Sequence, residues 1–379
     1  MWRQEFACSL VPRIGSRGLA RFCKDFIVGK IMHRKPLLFA LVRTLALEIA
    51  ILFLSQIGVA QFQPASPPIA DPADTRFSGV KEDRTSPSLG NNNLNPAPPL
   101  VGYINDYPGY TVELLQVQWR FGDPLDLYVM KPKGVRKPPV ILYLYSYPAG
   151  TDRFKNEDFQ KAVTKDGFAA VGFVSALTGH RYHDRPMREW FVSELPECLA
   201  TSAHDVQMVL KYLDSRDDLD MSRVGMFAQG SGASIAILTS AVDPRIKVLD
   251  ALDPWGDWPT WMATSPFVPE DERAEYIKPE FLQRTATLEP IEWLPKIQVK
   301  KFRLQDAIFE PNTPKAAKAK LRAAVPAGAT IVIYNTPEEF NAAVRAQRQL
   351  EWIEHELRSL PDSGAASTAT PSRIQLAGK

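Results

Sequence analysis

Residues 223–233 carry the pattern that points most directly to chemistry. They read Arg-Val-Gly-Met-Phe-Ala-Gln-Gly-Ser-Gly-Ala, an apolar segment that runs into a turn of small residues and then into a helix-forming segment. A strand that turns sharply into a helix exposes the residue at the bend, where a hydroxyl can attack a carbonyl carbon. Two neighbours compete for that position, Gly230 and Ser231, and only Ser231 has a hydroxyl.

In this segment the chain resembles the α/β-hydrolases, most closely their dienelactone hydrolase and acyl-peptidase branches, and the resemblance covers residues 100–358. It implies a G-x-S-x-G motif. Aligned so that small residues fill both outer positions, the chain has Gly230 in the serine position, which glycine's freedom at a strained bend permits. The hydroxyl is then missing. The alternative register makes Ser231 the nucleophile, but it moves Gln229 and Ala233 onto the glycine positions.

The resemblance also implies a histidine and an aspartate, and other residues stand where they are expected. Glu338 occupies the histidine position in the turn after the last predicted strand, and a glutamate is a weak base towards a serine hydroxyl. Ile308 or Phe309 occupies the aspartate position, while Asp306 and Glu310 lie one small register change away. Because losing the serine or the histidine alone costs a factor of about 10⁶, we expect a catalytically impaired hydrolase with a degenerate triad.

Other histidines offer a different chemistry. His180, His183 and Asp184 lie in a loop that we expect at the carboxyl edge of the sheet, where they could form a metal-dependent hydrolase site. Ion pairing and loop hydrogen bonds are the favoured interpretation, and we expect no bound metal or other cofactor. His204 is expected to make a structural hydrogen bond, and His355 is expected to face solvent.

A second cluster follows the sixth core strand and includes several tryptophans flanked by aspartates. Indole rings and carboxylates at the carboxyl edge could line a pocket for a small or peptide-like ligand. The equally weighted alternative is that the tryptophans close the core beneath an insertion. The predicted pocket residues are His180 and His183 together with Tyr147, Gln229, Asp253, Trp255, Asp257 and Trp258.

Strand-like and helix-like segments alternate through the main body of the chain. Val140–Tyr145 is a continuous apolar strand, and a helix with apolar residues at i, i+3, i+4 and i+7 covers Val206–Leu213. This alternation predicts an α/β fold with a doubly wound, mostly parallel sheet and helices on both faces. We expect an insertion over Asp253–Pro290, after the sixth core strand.

The termini differ in composition from this body. Residues 1–31 form a basic extension, and residues 32–60 have the basic, apolar and small-residue regions of a signal peptide cleaved after Ala60, or of an uncleaved membrane anchor. Residues 61–98 are rich in Pro and Asn and predict a disordered linker, as do residues 361–379 for the tail. The hydrolase-like domain is expected over residues 99–360, in a secreted or periplasmic protein.

The net charge excludes one class of partner. The formal net charge is +2 over 379 residues, so no strong field favours nucleic acid as a partner. Membrane contact is expected only through residues 32–60, if they stay uncleaved. Three interpretations remain open: an impaired hydrolase-fold protein that binds a ligand or partner, an active esterase or peptidase using Ser231, and a metal-dependent hydrolase at His180.

Overall fold

The computed structural model describes residues 79–90, 92–177, 192–346 and 348–361. The strands are β1 Leu100–Asp106, β2 Tyr110–Val117, β3 Leu125–Pro132, β4 Pro139–Leu144, β5 Ala169–Gly172, β6 Asp220–Gln229, β7 Ile246–Leu252, β8 Lys301–Ala307 and β9 Thr330–Tyr334. The α-helices are α1 Asp152–Lys155, α2 Glu157–Thr164, α3 Leu195–Asp214, α4 Ser231–Val242, α5 Trp258–Thr264, α6 Arg273–Tyr276, α7 Pro279–Ala286, α8 Pro290–Trp293, α9 Lys315–Ala323, α10 Pro337–Arg345 and α11 Arg348–Ser359. A 3₁₀ turn spans Leu294–Lys296.

The strands form one sheet in the order β1-β2-β3-β5-β4-β6-β7-β8-β9. In this order, every neighbouring pair among β5, β4, β6, β7, β8 and β9 is parallel. The pairs β1–β2, β2–β3 and β3–β5 are antiparallel. Helices cover both faces. The prediction of a doubly wound, mostly parallel α/β sheet is therefore confirmed.

Burial explains why the central elements are so apolar. All six residues of β4 are buried, because helices pack on both sides of a parallel sheet. Helix α4 is buried from Ser231 to Ala241 and is apolar or small on every side, as expected for a helix enclosed by the core. The core lies in two clusters, with α3 and α4 in one and α11 in the other. The bend between β6 and α4 is thus held rigidly from both ends.

Two elements differ from the sequence prediction. Strand β1 was not predicted, because it packs little of its surface: six of its seven residues are exposed, which leaves no alternation of buried and exposed positions. The apolar pattern after the last predicted strand predicts one helix over Glu339–Arg358, whereas the structure has two helices there, α10 and α11. Phe340 of α10 packs on Tyr334, while Ile353 of α11 packs on the core beside Gly225, so the two helices meet different parts of the sheet.

Residues 79–98 also depart from prediction, since they pack against the domain where a disordered linker was expected. Leu94 is 4% exposed within the core. Glu82 accepts hydrogen bonds from Arg120, and His204 Nδ1 lies 2.7 Å from Glu82 Oε1. Burial alone would raise the pKa of Glu82, but the hydrogen bonds from His204 and Arg120 lower it to about 2. The linker prediction is wrong here because composition does not reveal ion pairs formed with distant residues.

The insertion appears where it was predicted. It follows β7, which is the sixth core strand when the additional edge strand β1 is not counted, and it contains helices α5 to α8. Among the described residues, no helix combines the length and the apolar character needed to cross a membrane.

Candidate functional site

The bend between β6 and α4 has Gly230 at its apex. Gly230 has φ +54° and ψ −122°, a conformation that L-residues with a side chain rarely adopt. Its N–H donates to Leu252 O on the neighbouring strand at 2.8 Å, and its carbonyl accepts from Ser234 N at 3.1 Å inside α4. The geometry is that of a nucleophile elbow, and the residue at the tip carries no side chain.

The space beside Gly230 is already occupied. A Cβ added to Gly230 would overlap Ser146 Oγ, would lie 2.6 Å from Ser146 Cβ and would lie 3.3 Å from Trp255 Nε1. Gly232, two residues further, is equally constrained, because a Cβ there would overlap the carbonyl oxygen of Leu144. The elbow is therefore packed around glycine, and Ser146 fills the volume that a side chain at the tip would need.

Ser231 is the first residue of α4 and is fully buried. Its hydroxyl accepts a hydrogen bond from Tyr147 N at 2.9 Å. The hydroxyl thus holds the loop after β4, and it is not at the tip of the bend as the alternative register requires. Neither histidine among the described residues hydrogen-bonds to it, since His204 contacts Glu82, and His355, with a side chain 77% exposed, pairs weakly with Glu356.

Two backbone N–H groups at this bend occupy the places of an oxyanion hole. In the fold, these donors come from the residue after the nucleophile and from the loop after the third core strand. Here Ser231 N–H donates to Ser146 Oγ at 3.3 Å, and Tyr147 N–H donates to Ser231 Oγ. Both donors are satisfied by serine hydroxyls of the protein itself, so a substrate oxygen would have to displace them.

The aspartate position holds aromatic and aliphatic residues, as predicted. Phe309 packs edge-on against Phe340, with ring centroids 6.1 Å apart, and Ile308 N–H donates to Tyr334 O. The nearby Asp306 faces α9, where it pairs with Lys318 at 3.3 Å and with Arg322. The carboxylate of Asp306 therefore forms its ion pairs with α9.

Glu338 is exposed in the first turn of α10. The turn before it caps the helix, because Thr336 Oγ1 accepts from Glu339 N and Glu339 Oε2 accepts from Asn335 N. Acidic residues in a first helical turn are favourable by the helix dipole, which gives Glu338 a structural explanation. His180, His183 and Asp184 lie outside the described residues, and no group of three or more potential ligands in the described part of the chain could hold a metal ion.

The tryptophans predicted to line a pocket are core residues. Trp255 and Trp258 are each 1% exposed. Trp261 stacks on Trp255 with centroids 4.9 Å apart and meets Trp258 edge-on at 5.9 Å. The pocket interpretation is wrong for these two residues, and the alternative that they close the core under the insertion is correct. Residue types and spacing cannot distinguish the two interpretations, because burial of the tryptophans depends on where the insertion folds back.

The two aspartates that flank these tryptophans are strained and paired. Asp253 and Asp257 have φ of +48° and +53°, which is rare for residues other than glycine. Lys318 Nζ lies 2.8 Å from Asp253 Oδ1, and Lys320 Nζ lies 2.7 Å from Asp257 Oδ2. Burial raises the pKa of Asp253 to about 6, although Lys318 opposes the rise. Two ion pairs therefore hold the loop that carries Trp255 to helix α9, and Trp255 contacts the elbow at Gly230.

Glu289 completes this arrangement from the other side. Its carboxylate accepts from Asp257 N and Trp258 N, both at 2.8 Å, so it caps the start of α5. Burial raises the pKa of Glu289 even though these N–H groups oppose the rise. A cavity of about 10 Å³ remains nearby, lined by Asp253, Pro254, Leu304, Asp306, Lys318 and Leu321. Its volume is that of about one water molecule.

Sequence reasoning missed Ser146, Lys318 and Glu289. Ser146 lies two residues after the end of β4, and the only signal available was this place in the loop after the third core strand. Gln229 and Tyr147 lie beside the bend: Gln229 ends β6, and Tyr147 N–H donates to Ser231 Oγ. Their role as pocket residues stays a prediction.

The strand order, the elbow after β6 and the insertion after β7 together define a protein with the α/β-hydrolase fold. Solved structures agree. Acetyl Xylan Esterase 1 from Thermoanaerobacterium sp. JW/SL YS485 matches with a TM-score of 0.50 at 13% identity, over 67% of this chain and 88% of the esterase. Acetyl xylan esterase from Paenibacillus sp. R4 matches with a TM-score of 0.52 at 15% identity, over 74% and 97% of the two chains. At these identities the likeness shows the fold alone.

A curated protein of Bacillus subtilis (strain 168), named "Putative hydrolase YtaP", is 30% identical over 178 residues. The match covers 39% of this chain and 59% of that relative. No protein-family model matches the chain.

Proposed function

We propose that this chain is an exported α/β-hydrolase-fold protein that has lost acyl-transfer chemistry and acts by binding a ligand or partner. The observation that carries the proposal is Gly230 at the apex of the elbow, with Ser146 packed into the space of the missing side chain. A hydrolase of this fold needs a nucleophilic side chain at that tip, such as a serine hydroxyl, to form an acyl-enzyme, and glycine has none.

The state of the oxyanion donors supports the loss of activity. Preorganised N–H groups stabilise a tetrahedral intermediate only if they are free to meet the developing charge. Here Ser146 and Ser231 supply the acceptors for both N–H groups. Removing one such donor alone costs about 10²–10³ in rate, in addition to the loss from a missing nucleophile.

The proposed binding surface is the carboxyl edge of the sheet, where ligands of doubly wound folds bind. In its described part, Trp255 and Ser146 fill the region around the elbow. A small or peptide-like ligand would therefore contact the rim of this edge and not a deep cavity. Export rests on the composition of residues 32–60, and detecting a mature N-terminus at Gln61 in the secreted or periplasmic fraction would test it.

A fluorophosphonate probe tests the loss of chemistry directly, because it modifies activated serines. The folded full-length chain should show no labelling and no hydrolysis of p-nitrophenyl acetate above the rate of Ser231→Ala. Labelling that is lost in Ser231→Ala would overturn the proposal and restore an esterase or peptidase. Labelling lost in Ser146→Ala would also overturn it and would place the nucleophile after β4. Stoichiometric zinc in the purified protein, needed for activity, would favour the metal-dependent alternative at His180 and His183.

A further inference from the structure

Strand β1 lies at one edge of the sheet with apolar side chains uncovered on both faces. Leu100, Val101 and Ile104 are 67%, 60% and 62% exposed, three of the four highest values among the large apolar residues of the described chain. Only Tyr103 in this strand is partly buried. A strand that hides so little apolar surface gains little from joining the sheet.

The outer backbone edge of β1 pairs with no other strand of the described residues. Within that part of the chain, β1 hydrogen-bonds to β2 alone and is the first strand in the sheet order. Exposed edges with apolar side chains are templates for pairing with another strand. The opposite edge is better protected, because β9 has five residues and its Tyr334 packs beneath Phe340 of α10.

We propose that β1 pairs in antiparallel fashion with β1 of a second copy of this chain, so that one sheet continues through a dimer. Pairing of a strand with itself about a two-fold axis closes the assembly, whereas pairing of β1 with β9 of another copy would generate an open-ended filament. The closed arrangement uses the more exposed of the two edges on both copies.

The charge of β1 is compatible with a second copy as the occupant, because the strand carries little charge that would repel its own copy. Asp106 is the one ionised residue of β1, and Lys133 of the same copy lies 2.7 Å from it. In a register centred on Ile104, the Asp106 of each copy lies opposite Gly102 of the other. The two carboxylates are then about 13 Å apart along the strand at about 3.3 Å per residue, beyond the screening length of about 8 Å.

Side-chain size fits the same register. Gly102 is the residue that the bulge in β1 leaves without a partner in β2, since Val101 pairs with Leu115 and Tyr103 with Leu114. Having no side chain, it leaves room for the Asp106 of the second copy. The Ile104 side chains of the two copies then lie opposite each other, where an apolar pair is favourable.

The test measures the mass of the full-length chain in solution by sedimentation over a wide concentration range. The wild type should be a dimer, Ile104→Lys should be a monomer, and Ile333→Lys should stay a dimer. Ile333 is the matched control, since it is 45% exposed on the opposite edge strand. Hydrogen exchange at residues 100–106 should slow as the wild type dimerises.

Several results would overturn the proposal. They are a wild type that is monomeric at every concentration, a dimer lost in Ile333→Lys but kept in Ile104→Lys, and a ladder of growing oligomers. Protection of residues 100–106 in a monomer would mean that another part of the same chain covers β1, and that too would overturn it. If Ile104→Lys does not fold, as judged by circular dichroism, Val101→Lys makes the same test at the second exposed position.

Discussion

Replacing Gly230 probes the central geometry of the elbow. Gly230→Ala places a Cβ on a backbone with φ +54°, which costs about 1–3 kcal/mol for a residue other than glycine. The same Cβ overlaps Ser146 Oγ, and overpacking of this kind adds about 1–3 kcal/mol. The free energy of unfolding should therefore fall by about 2–6 kcal/mol, and Gly230→Ser should behave alike.

A double-mutant cycle separates the two contributions. Ser146→Gly removes the overlapping hydroxyl, so Gly230→Ala in that background should recover about 1–3 kcal/mol, the part due to overpacking. The backbone part should remain. Urea unfolding followed by tryptophan fluorescence measures all four proteins.

Gly232→Ala is the matched control for this cycle. Its added Cβ would overlap the carbonyl oxygen of Leu144, which belongs to the backbone, so Ser146→Gly should give no recovery there. The reasoning is refuted if Gly230→Ala is as stable as the wild type, or if Ser146→Gly rescues both glycine variants equally. Gly230→Ser combined with Ser146→Gly should also remain unlabelled by the fluorophosphonate, because no described histidine reaches the elbow.

Three further predictions concern other buried polar groups. Burial raises the pKa of Glu354 to about 7, and the folded state therefore prefers the protonated acid. The free energy of unfolding should therefore fall as the pH rises from about 4.5 to 7. The fall is at most about 3 kcal/mol, and solvent screening reduces it to about 1–2 kcal/mol. In urea titrations Glu354→Gln should abolish this fall, whereas the exposed control Glu351→Gln should keep it. Arg120→Met leaves the buried carboxylates of Glu82 and Asp205 without this partner and should lower the free energy of unfolding by about 3–5 kcal/mol. The half-exposed control Arg84→Met should lower it by less than about 1 kcal/mol. Equal thermal melting temperatures for the two variants would contradict this. Ser231→Ala removes the acceptor of a buried N–H and should cost about 1–3 kcal/mol in chemical unfolding, so an unchanged stability would contradict the hydrogen bond to the loop.

Local patterns were sufficient for the parallel part of the fold. Val140–Tyr145 is a continuous apolar run, and such a run predicts a buried parallel strand without tertiary information. Strand β1 carries no such pattern, because its exposed side chains do not alternate with buried ones. Its place in the sheet follows from backbone pairing with β2, which leaves no periodic signal in the sequence.

The candidate site divides in the same way. Order along the chain was enough to predict a strand-to-helix bend at Gly230 or Ser231, with Glu338 and either Ile308 or Phe309 in the other two triad positions. The backbone of the folded chain decided that Gly230, and not Ser231, lies at the apex. Only the tertiary structure decided that Ser146 fills the space beside Gly230 and that Trp255 is buried. Contacts between residues about 85 positions apart depend on how β4 and β6 pair, and that pairing is a property of the folded sheet.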